Sequence, residues 1–214
     1  MNATIVIRNE KEADYKRVEE ITRKSFWNLY VPGCTEHYLV HVLRTHEDFL
    51  PELDFVIEVD GRIIGNIMYT KTLLVDESGE EKNILTFGPV CIVPEYQRKG
   101  YGKRLMERSF ERAVALGYDV IVIFGNPNNY VSRGFKSCKK FNVCLENGTY
   151  PAPMMVKELQ PGALDGRKWV YHQSSVFEID EHEAERFDES LEPWEKKYEP
   201  SQEEFYIHCH SVMQ

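Results

Sequence analysis

No stretch of this chain approaches the roughly 20 consecutive apolar residues that a membrane-spanning helix needs. Its first residues, MNATIVIRNEKEADYKR, also lack the basic-then-apolar order of a signal peptide. The expectation is a cytoplasmic protein with no membrane partner. Cysteine is sparse and without pattern: Cys34, Cys91, Cys138, Cys144 and Cys209 are odd in number, irregularly spaced and free of any C-x-x-C pair. That leaves no basis for a disulfide framework or a zinc ribbon, and reduced thiols are expected. Basic excess is lacking as well: the formal net charge is -9, so the phosphates of nucleic acid are repelled and no nucleic-acid partner is expected.

What remains is ordinary globular material, 214 residues with 42% hydrophobic, 12% aromatic and 29% charged. The negative charge is unevenly placed. Residues 1–158 hold 22 acidic and 21 basic side chains, whereas residues 159–214 hold 13 and 5. The pattern along the chain alternates between strand and helix, with no internal repeat. TIVIR (Thr4 to Arg8) alternates as a strand does, and Val18, Ile21 and Phe26 then recur at a helical period. A shorter helix is expected from Glu36 to Arg44. FVIEV (Phe55 to Val59) and RIIGNIMYTKTLLV (Arg62 to Val75) flank Asp60-Gly61, a pair that accepts positive φ cheaply, and so read as a hairpin. ILTFGPVCIV (Ile84 to Val93) is almost wholly apolar and predicts a strand buried on both faces. Leu105, Met106, Phe110, Ala113, Val114 and Gly117 share one helical face, and DVIVIF (Asp119 to Phe124) is again an apolar strand. Strand, loop, helix, strand in that order is a right-handed crossover feeding a mixed sheet.

The loop inside that crossover, PEYQRKGYGKRL, carries Gly100 and Gly102 among Arg98, Lys99, Lys103 and Arg104. It joins a buried strand to the first turn of a helix, where backbone N–H groups lack intrahelical acceptors and the dipole is positive. Such a turn holds a phosphate or pyrophosphate, and glycine lets the anion approach the backbone. The same residues would also serve a tight connection with a solvated basic face. A Walker loop and the third glycine of G-x-G-x-x-G are both absent.

The stretch GPVCIVPEYQRKGYGKRLMERSFERAVALGYDVIVIF resembles the core motif of the GNAT superfamily of N-acetyltransferases, with Gln97-Arg98-Lys99-Gly100-Tyr101-Gly102 in the place of the family's Q/R-x-x-G-x-G/A turn. YVSRGF (Tyr130 to Phe135) is similar to its Y-x-x-x-G-F segment. The resemblance implies an α/β (α+β) fold with a mixed, mostly antiparallel central sheet flanked by helices over residues 1–158. Residues 159–214 then form an acidic, aromatic-containing extension packed on the core or on a second subunit, which leaves a homodimer open. It also implies acetyl-CoA as cosubstrate, acetyl transfer by direct attack onto a primary amine of a small molecule or peptide, and a pyrophosphate held by Gln97, Arg98, Lys99, Gly100, Tyr101, Gly102 and Lys103. The backbone of Cys91, Ile92 and Val93 would run beside the pantetheine arm. Tyr130 would be the catalytic acid, with aromatic packing beside Phe135 as its alternative role.

The resembling family often carries a glutamate base on the buried strand, but ILTFGPVCIV has no carboxylate. That departure leaves the base open among Glu36, His37, His41 and a water chain, and it keeps a catalytically silent CoA-binding sensor or interaction protein as the alternative. His37 and His41 at i, i+4 and the compact His208–His210 have no identifiable third ligand, so no metal site is assigned.

Overall fold

The computed structural model describes residues 3–213. In chain order it forms β1 (Ile5–Asn9), α1 (Tyr15–Phe26), α2 (Glu36–Leu43), β2 (Phe55–Val59), β3 (Arg62–Asp76), β4 (Glu81–Ile92), α3 (Tyr101–Ala115), β5 (Val120–Phe124), α4 (Pro127–Tyr130), β6 (Lys136–Ser137), β7 (Val143–Cys144), β8 (Met154–Glu158), β9 (Trp169–His172), α5 (Glu181–Glu189) and α6 (Pro200–Cys209). The strands make one sheet in the order β1-β2-β3-β4-β5-β8-β6, with β9 pairing both β3 and β7. Pairing is antiparallel except for β4 with β5 and β7 with β9. The expected mixed, mostly antiparallel sheet is what the chain folds into.

Alternation along the strands divides the core. Ile121 and Ile123 of β5 join Leu85, Met155 and the apolar faces of α1, α2 and α3 in the larger cluster, while Val120 and Val122 join Leu74, Ile84, Trp169 and Tyr171 in a smaller one. With successive side chains on opposite faces, β5 is buried on both. For β4 the expectation of burial on both faces holds only from Ile84 to Phe87; from Gly88 onward buried and half-buried residues alternate. The reason is the neighbour on that side, since β5 pairs with β4 at a single position, Leu85 with Ile121, and then diverges. On α3 the expected apolar face is also corrected: Val114 is 40% exposed, and Ser109 is fully buried in its stead, its hydroxyl 2.8 Å from that of Tyr69.

The acidic segment beyond residue 158 is interleaved with the rest. β9 extends the sheet alongside β3, where Leu73 to Asp76 pair with His172 to Trp169. The Arg23 guanidinium meets the Asp188 carboxylate at 2.8 Å and lies over the rings of Trp27 and Trp194. Asn28 ties the segment down further, its side-chain amide donating to Glu195 O and its side-chain oxygen accepting from the amides of Gly33 and Lys197. Trp169 is fully buried, and its indole N–H donates to Leu164 O at 3.1 Å. Trp169→Ala empties that volume and removes the donor, so urea denaturation is expected to show a loss of about 3–5 kcal/mol in unfolding free energy.

Candidate active site

The cleft begins where β4 leaves β5. Between the pairs Tyr69 with Phe87 and Ile67 with Val90, β4 advances three residues while β3 retreats two, so β4 carries one extra residue at Gly88-Pro89. A bulge of this kind bends the strand and reverses the sense of its alternation. Phe87 therefore faces Phe110 of α3, at 6.4 Å between ring centroids, while Cys91, four residues on, reaches Thr22 of α1 at 3.7 Å. Past the bulge, β4 has β3 on one side and a cleft of about 930 Å³ on the other.

The direction of the backbone groups comes from the ladder. The Val93 amide donates to Ile64 O at 2.8 Å, so alternation turns the polar groups of Cys91 toward β3 too, and those of Val90 and Ile92 toward the cleft. Ile92 O accepts from the Gln97 side chain at 2.8 Å, which pins the loop to the strand end. After Gln97 the chain turns through positive φ at Arg98 (60°) and Gly100 (85°) and enters α3 at Tyr101. The first-turn amides of Tyr101, Gly102 and Lys103 have no intrahelical acceptor. A Cβ at Gly100 would meet nothing within 4 Å, and helix-start amides without acceptors are groups of the kind that bind phosphate.

Of the residues expected to hold the cosubstrate, Cys91, Ile92, Gln97, Arg98, Gly100, Gly102 and Lys103 line the cleft. Val93, Lys99 and Tyr101 do not: Val93 turns into the sheet, the Lys99 ammonium donates to Glu95 O, and Tyr101 packs against Tyr96.

Tyr130 ends α4, a turn that Asn126 caps by accepting the amide of Asn128. Its ring sits 5.9 Å from that of Phe87 and 5.8 Å from that of Phe135, and a Cβ at Gly125 would come within 2.6 Å of it, so glycine is required at 125 for the ring to lie where it does. Burial first, and repulsion from Tyr30 second, push the phenol above its usual value and keep it protonated. Three side chains are open as bases on the sequence, and the fold separates them. His37 is fully buried away from the cleft, with Nδ1 3.3 Å from the Cys34 thiol and Nε2 3.2 Å from Asp188. His41 lies outside on the surface, 3.0 Å from Glu19. Glu36, at the first position of α2, opens onto the cleft. Burial pushes its carboxyl up to about 7, against hydrogen bonds from the backbone amides of Glu36 itself and Thr35. Sequence reading missed Tyr30, Phe205 and His208, which line the same cleft; the two that come from α6 adjoin it only through tertiary folding.

A splayed strand pair and an amide-rich turn on one cleft are the features of an acetyltransferase fold. The family model described as Acetyltransferase (GNAT) family matches residues 23–137, more than half of the chain, and the chain belongs to that family. Acetyl-CoA is the cosubstrate that goes with this membership. The chain is 28% identical over 147 residues to the uncharacterized N-acetyltransferase YjhQ of Escherichia coli strain K12, covering 69% of this chain and 75% of the relative. It is 28% identical over 164 residues to the uncharacterized N-acetyltransferase YhbS of the same strain, covering 76% and 92%. Among solved structures, YhbS from Escherichia coli in complex with CoA shares the fold at a TM-score of 0.71 and 23% identity, covering 84% of this chain and 94% of that one. A GNAT family acetyltransferase from Brucella melitensis in complex with acetyl-CoA shares it at 0.63 and 21%, covering 82% and 99%.

The raised Glu36 carboxyl makes stability depend on pH. Its value rises from 4.5 in the open chain to about 7 in the fold, so between those limits the folded state holds more protons than the unfolded one. The stabilisation is complete below 4.5 and is lost as pH rises through about 7. Thermal melts of the wild type, referred to Glu36→Gln, are expected to fall across that window and to level off above it.

Proposed function

We propose that the chain is an N-acetyltransferase that moves the acetyl group of acetyl-CoA directly onto a primary amine of a small molecule or peptide. One observation carries the reading: Glu36 and Tyr130, one a carboxyl able to take a proton near neutrality and the other a phenol held protonated, open onto the same cleft as the amides at the start of α3. The amides of Gly100, Tyr101, Gly102 and Lys103, with the side chains of Gln97, Arg98 and Lys103, take the pyrophosphate. The strand end from Val90 to Ile92 lies beside the pantetheine arm, and the cleft-facing amide of Val90 or Ile92 polarises the thioester carbonyl. A donor aimed at the developing oxyanion is worth about 3 kcal/mol.

The amine arrives as an ammonium of pKa near 10.4, and freeing it at neutral pH costs roughly 4–5 kcal/mol unless a base assists. Glu36 takes that proton, its raised value matching the operating pH as general-base catalysis requires. The nitrogen lone pair attacks the carbonyl carbon, the C–S bond breaks, the departing thiolate takes its proton from the Tyr130 hydroxyl, and the second proton shed by the new amide nitrogen returns to the Tyr130 oxygen. Burial keeps Tyr130 protonated until the thiolate departs, and it opposes a lasting phenolate, so the proton has to be returned as soon as it is given.

Replacing Gly102 by Val brings a branched side chain toward the space over the turn, with Ile92 already 3.5 Å from the new Cβ. Calorimetric titration with CoA is expected to give a Kd weaker by tenfold or more, and an unchanged Kd in a folded variant would remove the pyrophosphate from this turn. For the chemistry, Tyr130→Phe keeps the ring between Phe87 and Phe135 and is expected to lower kcat about a hundredfold with CoA affinity intact. In the wild type, kcat/KM should rise with pH to a plateau above about 7, since Glu36 acts only when deprotonated. Glu36→Gln should lower the rate and abolish that limb; a limb that persists in the variant belongs to another group.

A further inference from the structure

Resting on the acetyl-transfer reading, we infer that the acceptor carries a second cationic group, which Glu204 of α6 receives at the rim of the cleft while the reacting amine meets Glu36. An α,ω-diamine is the simplest molecule of that class. Ser201, Glu204, Phe205 and His208 are spaced i, i+3, i+4 and i+7, so they share one face of α6, and all four line the cleft. Each end of that face is tied to the rest of the fold: the Ser201 hydroxyl donates to Leu29 O at 2.8 Å, and His208 Nε2 sits 3.2 Å from Gly125 O. Between the two ties, Phe205 stacks on Tyr30 of the α1–α2 loop at 4.4 Å. Burial first, and then the Glu36 carboxylate, push the Tyr30 phenol up, so Glu36 lies near this ring. Glu204, next to Phe205 on the same helix face, therefore stands on the wall that holds the base.

The charges lining the cleft are sorted by side. Arg98 and Lys103 belong to the turn before α3 and to the start of that helix. Arg133 lies toward α3 as well, because its carbonyl accepts from the Lys157 ammonium, which is 5.3 Å from the ring of Phe110. The lining carboxylates, Glu36 and Glu204, belong instead to α2 and α6. Such a separation draws phosphates to one side and cations to the other. Glu204 also lacks a counter-charge of its own: Glu199, at the start of α6, pairs with Lys197 at 2.8 Å, whereas among the described residues no cation pairs with Glu204. Asn128, Asn129 and Ser132 add lining side chains that no described protein group engages, so the cleft admits a polar body. Glu204 is exposed, and an ion pair at such a rim is weak, which makes the expected preference a matter of a few-fold.

The test is initial-rate release of CoA thiol at saturating acetyl-CoA with 1,3-diaminopropane, 1,4-diaminobutane and 1,6-diaminohexane, each against the amino alcohol of the same length. At the best-fitting length the diamine is expected to have a kcat/KM about fivefold or more above its amino alcohol, where two equivalent amines alone would give about twofold. Glu204→Gln should bring that ratio down to about twofold through the KM for the diamine, Glu204→Asp should keep part of it, and the CoA Kd should not move. A ratio of about two at every length, or one that Glu204→Gln leaves unaltered, overturns the inference, while thiol release with any of these amines keeps acetyl transfer standing. Thiol release with none of them, in a protein that binds CoA, overturns the transfer reading and this inference with it.

Discussion

The extra residue in β4 at Gly88-Pro89 sets the course of the strand beyond it and, with it, the shape of the cleft. Pairing with β5 is confined to Leu85 and Ile121, and past the bulge the backbone groups of Val90 and the amide of Ile92 face the cleft instead of a neighbouring strand. Backbone groups in that condition need a partner, since an unpaired N–H or C=O away from water is costly. A ligand that lies along the strand end supplies one, which is how a defect in the ladder becomes a binding surface.

The electrostatics of the cleft arise from the same opening being narrow. Burial raises Glu36 and Tyr130 together, though one group ends near neutrality and the other stays far above it. Near neutrality Glu36 therefore exchanges its proton readily, while Tyr130 keeps its own. Arg98, Lys103, Arg133 and Glu204 also line the cleft, whereas another charged cluster lies outside it. Arg23 of α1 and His37 of α2 both meet Asp188, which fastens α5 to the two helices at once.

The turn at Gly100 and the crossover around it are legible in the sequence because the physics is local: two glycines, a helix start and a preceding apolar strand occupy a dozen consecutive residues. The lack of a strand carboxylate is equally plain there, and Glu36 is one of several substitutes that the sequence offers. Choosing among them needs the fold, because Glu36, His37 and His41 differ only by rotation about one helix, and a one-residue change of facing separates cleft from core. Val93 and Lys99 show the same limit. They sit inside the right motif, but the pleat sends one amide into the sheet, and the loop sends one ammonium back to Glu95. The late strands β8 and β9 carry too few residues with too little alternation to stand out, and pairing with β3 and β5 creates them.

Asn28 joins the α1–α2 loop to the segment from Glu195 to Gln202 through both ends of its side chain and its carbonyl. The wall on which Tyr30 and Phe205 meet is thereby assembled from two stretches of chain about 170 positions apart in the sequence. The glycine-bearing turn before α3 lies in neither stretch. Substitutions within the final helix therefore alter this wall of the cleft without touching the first turn of α3, so the two sides of one cleft are encoded in separate segments of the gene.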